Sequence, residues 1–310
     1  MQLLLYGALI LSQLGTSAKQ FSMKHCGRLA PGPFNSVCIN MARALICLVV
    51  SILIWIATDG TTTTPFGHLI IVIAGIGTAF NLFTWILSSR LVSLTLIESV
   101  SMIGSLVLPL ILAPYLYDGD SVSPVQWVGC LLVIASVFLF MEKGSGRGKE
   151  GTLWQKIVVV GVCAISTTLA AIFKKYYTYH IKEQDLGSIE YFTFISFVVV
   201  VAVFAVLFAV FYGKQKRESV KASNNGQASV TLPSRAVWVY VLIAAVSLYV
   251  YELFASYAAQ LPSAIYYPLS KALSVGCTFL LDVIVFKDRV TLKKLIGLGI
   301  ILVAVVLVNF

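Results

Sequence analysis

Residues 189–212 read IEYFTFISFVVVVAVFAVLFAVFY, a stretch in which Glu190 is the sole charged residue. A helix spanning the hydrocarbon core of a bilayer needs about 20 mainly apolar residues. A run this uniform leaves no polar stripe to turn toward water, so it is expected to be a membrane span. Breaking the rest of the chain at charged or Gly/Pro/Ser-rich punctuation gives nine more such stretches. The ten lie near residues 2–19, 35–57, 67–89, 93–114, 124–141, 155–174, 189–212, 236–258, 263–286 and 293–309. The opening stretch has no basic n-region and no A-x-A-like cleavage site, and is read as the first span rather than a removed signal peptide.

Composition agrees. The chain has 310 residues, 59% apolar and 11% charged, against roughly a quarter charged in a soluble domain. Thirteen acids and 22 bases are too few to clothe a water-soluble protein of this length. The expected fold class is all-α integral membrane, with ten transmembrane helices.

Several chemistries are excluded. His25, His68 and His180 show no metal-ligand spacing, so no metal site is expected. The cysteines at 26, 38, 47, 130, 163 and 277 are scattered through apolar runs, as small buried hydrophobes are. No G-x-x-x-x-G-K-[ST] is present, so no nucleotide-driven motor resides in the chain. An enzyme acting on lipid headgroups would want clustered His, Asp or Glu; the acids here are dispersed, and neither enzymatic activity nor a cofactor is expected. A passive channel would show rings of charge or a carbonyl-lined filter. The net charge of +9 does not form a basic stripe interleaved with aromatics, so nucleic acid is not an expected partner.

The charge is instead read as a topology signal. Seventeen of the 22 Lys and Arg fall in odd-numbered links, and only Lys174, Lys175 and Lys182 in even-numbered ones, with Arg43 and Lys271 inside spans. The positive-inside rule then puts the odd links in the cytoplasm and both termini outside. The membrane is expected to be the plasma or inner membrane. The polar, basic loop 213–235 is read as a solvated cytoplasmic link.

Five spans followed by five spans prompt a search for repeats. Asp120-Ser-Val-Ser, five residues, then Gly129 matches Asp288-Arg-Val-Thr, five residues, then Gly297, an offset of 168. Ser88–Ser93 aligns with Ala258–Ser263 at an offset of 170. The D-x-V-[ST] block reads as a helix start, its side chains capping unpaired N–H groups, and the glycine allows close helix approach. An odd number of spans per half requires that the halves face opposite ways. The expected organisation is a first five-helix repeat over 1–142, a cytoplasmic link over 143–154 and a second repeat over 155–310.

Ten spans in two halves, Arg43 early in span two, and an acid-x-x-Ser/Thr link with a following glycine before spans five and ten resemble the drug/metabolite transporter superfamily, in its EamA-like branch. The resemblance covers essentially the whole chain. It implies two inverted repeats around a central cavity, moving one small molecule by alternating access. The chain departs from the branch in carrying Gly15-Thr-Ser where a tryptophan-glycine pair is frequent. It departs from nucleotide-sugar relatives in its termini, which in those relatives are cytosolic.

Charged groups within spans are costly and are functional candidates. Lys271, in IYYPLSKALSVG of span nine, is read as the contact for an anionic substrate. A lysine early in the ninth span also resembles the sugar-phosphate and nucleotide-sugar carriers, where such a lysine meets phosphate. Glu252 in span eight is read as its carboxylate partner or as a proton acceptor. Span nine shows a polar stripe, Tyr267, Lys271, Ser274, Thr278 and Asp282, spaced as a cavity-lining helix would be. Asp282, near the cytoplasmic end of the span, is read as an interface residue, with a gate as the alternative. Asn81 and Trp85 share a face of span three, Tyr249 and Glu252 one of span eight. Glu98 of span four completes the substrate-binding set, with Gln13 and Thr167 as further cavity groups. Arg43 is read as structural. Tyr266 and Tyr267 precede Pro268, where a kink is expected.

The expected function is a secondary transporter of a small metabolite, an organic anion such as a sugar phosphate or nucleotide sugar. The alternative is a proton-coupled exporter of amino acids or amphiphilic compounds. The expected partners are the substrate, protons and the bilayer; a homodimer is compatible with this reading.

Overall fold

A computed structural model describes residues 2–30, 32–58, 61–92, 96–97, 100–101, 104–105, 111–112, 115, 123–140, 152–181, 187–222, 234–261, 263–287 and 290–308. These residues form helices and their connections, with no strand among them. The helices are α1 (Gln2–Leu29), α2 (Pro33–Ala57), α3 (Pro65–Leu91), α4 (Pro124–Phe140), α5 (Leu153–Tyr179), α6 (Ile189–Ala222), α7 (Arg235–Ala258), α8 (Ser263–Leu280) and α9 (Leu292–Val308). They occupy the expected spans one to three and five to ten. Most of the stretch expected as span four lies outside the described residues.

Local signals explain the starts. Pro33 and Pro65 open α2 and α3, where a missing N–H costs nothing. Thr64 accepts from Gly67 N–H at 3.1 Å. A capping box of Thr152 and Gln155 starts α5. Ser123 and Gln126 exchange the same two bonds at the start of α4, at 2.8 and 3.2 Å, and Thr291 accepts from Lys294 N–H at 3.4 Å where α9 begins. The Ser/Thr of each D-x-V-[ST] block is thus a helix cap, as expected. Asp120 and Asp288 lie outside the described residues.

Among the described residues, five helices are long and apolar enough to cross a bilayer: Pro33–Ala57, Pro65–Ser89, Trp154–Tyr179, Ile189–Arg217 and Arg235–Ala258. Their outward faces carry exposed aliphatics such as Leu53, Val206 and Val246. Helices that satisfy their own backbone and turn such side chains outward suit lipid as the surrounding solvent. The protein is a membrane-embedded helical protein.

Two boundaries differ from expectation and change the chemistry. Helix α1 continues to Leu29, so Lys19, Lys24 and Arg28 belong to a helix and not to a link. Helix α5 continues to Tyr179, so Lys174 and Lys175 are helical too. Lys24, Lys174 and Lys175 are buried and partnered, and the helices continue past them.

Helix α1 packs along α7, α3 along α5, α2 along α6 and α4 along α9. Glycines stand where α1 meets α7 and where α3 meets α5. A Cβ on Gly15 would stand 2.9 Å from Ser247 O, and one on Gly77 would stand 3.0 Å from Ser166 O. An apolar cluster including Val37, Cys47, Ala79, Phe197, Leu248 and Tyr249 joins α2, α3, α6 and α7. The cysteines are free, and all but Cys277 are buried.

Candidate functional site

The helices enclose a central cavity lined from α1, α3, α5, α7 and α8, together with Ser101 and Ser105. Its empty space, with the mouth and the solvent in it included, is about 890 Å³.

Helix α8 supplies Tyr267, Lys271 and Ser274 to the cavity wall, and α3 supplies Asn81 and Trp85. Glu252 reaches it from α7, and Gln13 and Thr167 from α1 and α5. The structure therefore brings together Lys271, Glu252, Tyr267, Ser274, Asn81 and Trp85. Asn81 Nδ2 donates to Thr167 Oγ1, tying α3 to α5 across the cavity wall. Tyr249 is not brought in. It is 7% exposed and stacks on Phe197, their ring centroids 6.4 Å apart. Three residues along a helix is a 60° rotation, and on that side of Glu252 the wall is α6 rather than the cavity. Glu98 lies outside the described residues.

The partner of Glu252 also differs from expectation. Its carboxylate is bound by Lys174 of α5, not by Lys271. Once α5 runs through residue 174, its face carries Thr167, Ala170, Ala171 and Lys174 to the cavity, one helical stripe with spacings of three, one and three. The Tyr251 ring lies between two ammonium groups, Lys19 Nζ at 4.4 Å and Lys174 Nζ at 5.4 Å from its centroid. Such cation–π contacts hold both stems against the ring and fix where the charges point. A smaller side pocket lined by Thr78, Thr193 and Ser196 shares Lys174 and Glu252 with the main cavity, so the ion pair is a partition between the two.

Helices α1 and α8 meet along a polar seam. Gln13 Nε2 donates to Ser270 Oγ at 2.9 Å, Thr278 Oγ1 to Gln20 Oε1 at 2.7 Å, and Lys24 Nζ to Asp282 Oδ1 at 2.9 Å. The sequence separations are 257, 258 and 258, so the two helices run parallel in constant register. Asp282 is thus no interface residue. It is 4% exposed and sits in a π-helical turn over Leu281–Val285. The backbone irregularity falls there; α8 continues through Pro268.

Two further cations are internal. Lys175 Nζ donates to Ala259 O and Leu261 O at 2.7 and 2.6 Å, meeting carbonyls at the end of α7. Arg43 is fully buried and donates to Asn40 Oδ1 at 2.6 Å, while Asn40 Nδ2 donates to Leu82 O on α3 at 3.1 Å. Asn40 thus ties α2 to α3 just behind the cavity wall, and Arg43 holds the Asn40 side chain in place. Lys19, Gln20, Lys24 and Lys174 were not visible as site residues because the spans were ended at their charges. Continuing the helical period through those charges is the signal that finds them.

No protein-family model matches the chain, and no curated protein matches it. A solved structure described only as "Crystal structure of protein" is similar, with a TM-score of 0.63 at 14% identity over 97% of this chain and 96% of that one. That likeness is one of fold.

Proposed function

We propose that the protein is a secondary carrier that moves a small organic anion, such as a sugar phosphate or nucleotide sugar, through this cavity by alternating access. One observation carries the reading: a central polar cavity in a membrane-embedded bundle, bearing Lys19 and Lys271 beside the Lys174–Glu252 pair. Intramembrane charges facing a shared cavity are typical of a substrate path. The exporter alternative needed Glu252 for an ammonium group, and Glu252 is already engaged by Lys174.

The fold reading that accompanies it is two inverted five-helix repeats of the EamA-like kind. Helix packing supports this. If spans one and three correspond to spans six and eight, the α1–α7 crossing becomes the α3–α5 crossing, and both are extensive. Each has a glycine against a serine carbonyl, Gly15 on Ser247 and Gly77 on Ser166. Ser247 follows Gly77 by 170 positions, the offset relating Ser88–Ser93 to Ala258–Ser263.

The test is a thermal-shift screen of detergent-purified protein against sugar phosphates, nucleotide sugars, amino acids and amphiphilic cations, repeated on Lys271→Ala. A ligand stabilises the state it binds. Stabilisation by the anions, lost in a folded Lys271→Ala, is expected. Stabilisation by cations or amino acids that survives in Lys271→Ala would put the exporter reading in its place.

A further inference from the structure

The seam between α1 and α8 has rungs at Gln13–Ser270, Gln20–Thr278 and Lys24–Asp282. The same separation of 258 sets Thr16 at the level of Ser274. Both residues line the cavity. Thr16 is 6% exposed, yet its hydroxyl has no hydrogen-bond partner among the described residues. A threonine in a helix ordinarily satisfies its hydroxyl on the carbonyl one turn back, as Thr193 and Thr168 do. A buried hydroxyl without a partner is costly, and in a residue of the cavity wall a ligand oxygen can supply that partner.

The rotation that puts Thr16 there is fixed by its neighbour. Gly15 lies against the α7 backbone at Ser247 and Tyr251, too close for any side chain, and this turns the adjacent residue toward the cavity. Lys19 is one turn onward on α1 and Lys271 one turn back from Ser274 on α8; both line the same space. A rung position flanked by two ammonium groups suits an oxyanion. We propose that Thr16 is a substrate-binding residue whose hydroxyl donates to a phosphoryl oxygen of the ligand, the ligand thereby supplying the missing rung between α1 and α8. Binding would then add a contact between two helices that are already joined above and below that level. The inference rests on the anion-carrier reading above.

The test compares wild type, Thr16→Val and Thr16→Ser by thermal melting in detergent, with glucose 6-phosphate and UDP-glucose as probes. Valine has the shape of threonine without the hydroxyl. Without ligand, Thr16→Val is expected to melt at or above the wild-type temperature, because it removes an unsatisfied polar group. The probe concentration giving half the maximal shift is expected to rise about ten- to hundredfold, as for loss of one hydrogen bond to a charged group, and Thr16→Ser is expected to restore it. A Thr16→Val protein that melts well below wild type without ligand overturns the proposal, because the hydroxyl is then structural. So does a Thr16→Val protein that responds to the probes as wild type does, which leaves the carrier reading standing. Wild type that responds to neither probe removes the phosphorylated-anion reading itself, and the role of Thr16 with it.

Discussion

Lys24 of α1 and Asp282 of the π-helical turn after α8 form a buried ion pair at 2.9 Å, their side chains 8% and 5% exposed. The Lys24 ammonium also lies 3.8 Å from the centroid of the Phe286 ring, against which Arg28 and His25 pack as well. The pair is the last rung of the α1–α8 seam and joins residues separated by 258 positions. Removing one partner of such a pair strands the other charge in a poor dielectric, at a cost of about 3–5 kcal/mol. Lys24→Met and Asp282→Leu are each expected to lower the melting temperature markedly. The double variant is expected to recover most of the loss, because a buried pair exchanged for apolar groups is often close to neutral. Equal melting of the single and double variants would contradict this.

The Lys174–Glu252 pair predicts a charge-reversal result. Lys174→Glu alone places two acids side by side in the wall between the cavity and the side pocket. It is expected to fold poorly, measured as monodisperse yield by size exclusion. Lys174→Glu with Glu252→Lys restores one charge of each sign and is expected to recover yield. Were Lys271 the partner of Glu252, the exchange at 174 would bring no recovery.

Three glycines form a graded series. In Gly15→Ala the new methyl carbon stands 2.9 Å from a backbone oxygen, in Gly77→Ala 3.0 Å, and in Gly161→Ala it meets nothing within 4 Å. Overpacking at a tight crossing costs about 1–3 kcal/mol, while alanine in an open helical position gains roughly 0.5–1 kcal/mol over glycine. The expected order of melting temperature is Gly161→Ala at or above wild type, then Gly77→Ala, then Gly15→Ala. A different order would show that the crossings are not where the helices are closest.

Tyr249 and Trp85 separate core from site. Tyr249→Phe keeps the ring that stacks on Phe197 and is expected to leave ligand-induced stabilisation unchanged. Trp85→Ala removes a cavity-lining side chain and is expected to weaken that stabilisation about two- to tenfold, on the scale of one aromatic contact. The check is a ligand titration followed by thermal shift on both variants.

Much of the site was legible from residues alone. The stripe Tyr267, Lys271, Ser274, Thr278 and Asp282 does face one direction, toward the cavity and then α1. Asn81, Trp85, Gln13 and Thr167 could be found for the same reason: polar groups inside apolar spans have few places to go other than an interior. Tyr249 misled because its aromatic ring fits a packed core as well as a binding site, and spacing places it only within 60° of Glu252. The ends of α1 and α5 misled because a lysine normally marks the end of a span. At Lys24 and Lys174 a distant carboxylate satisfies the ammonium inside the bundle, and the helix has no cause to stop.

The sequence by itself determined that apolar helices cross a membrane, where their caps lie and which residues share a helical face. These properties depend on neighbours within a few residues, through hydrophobic period and local hydrogen bonding. The choice of Lys174 for Glu252 and of Lys24 for Asp282, and the vacant rung at Thr16, were decided by the tertiary structure. Those choices depend on the rotation and depth of helices remote in the chain, set where Gly15 and Gly77 let backbones touch; a periodic pattern states which face is polar, but not which other face it will meet.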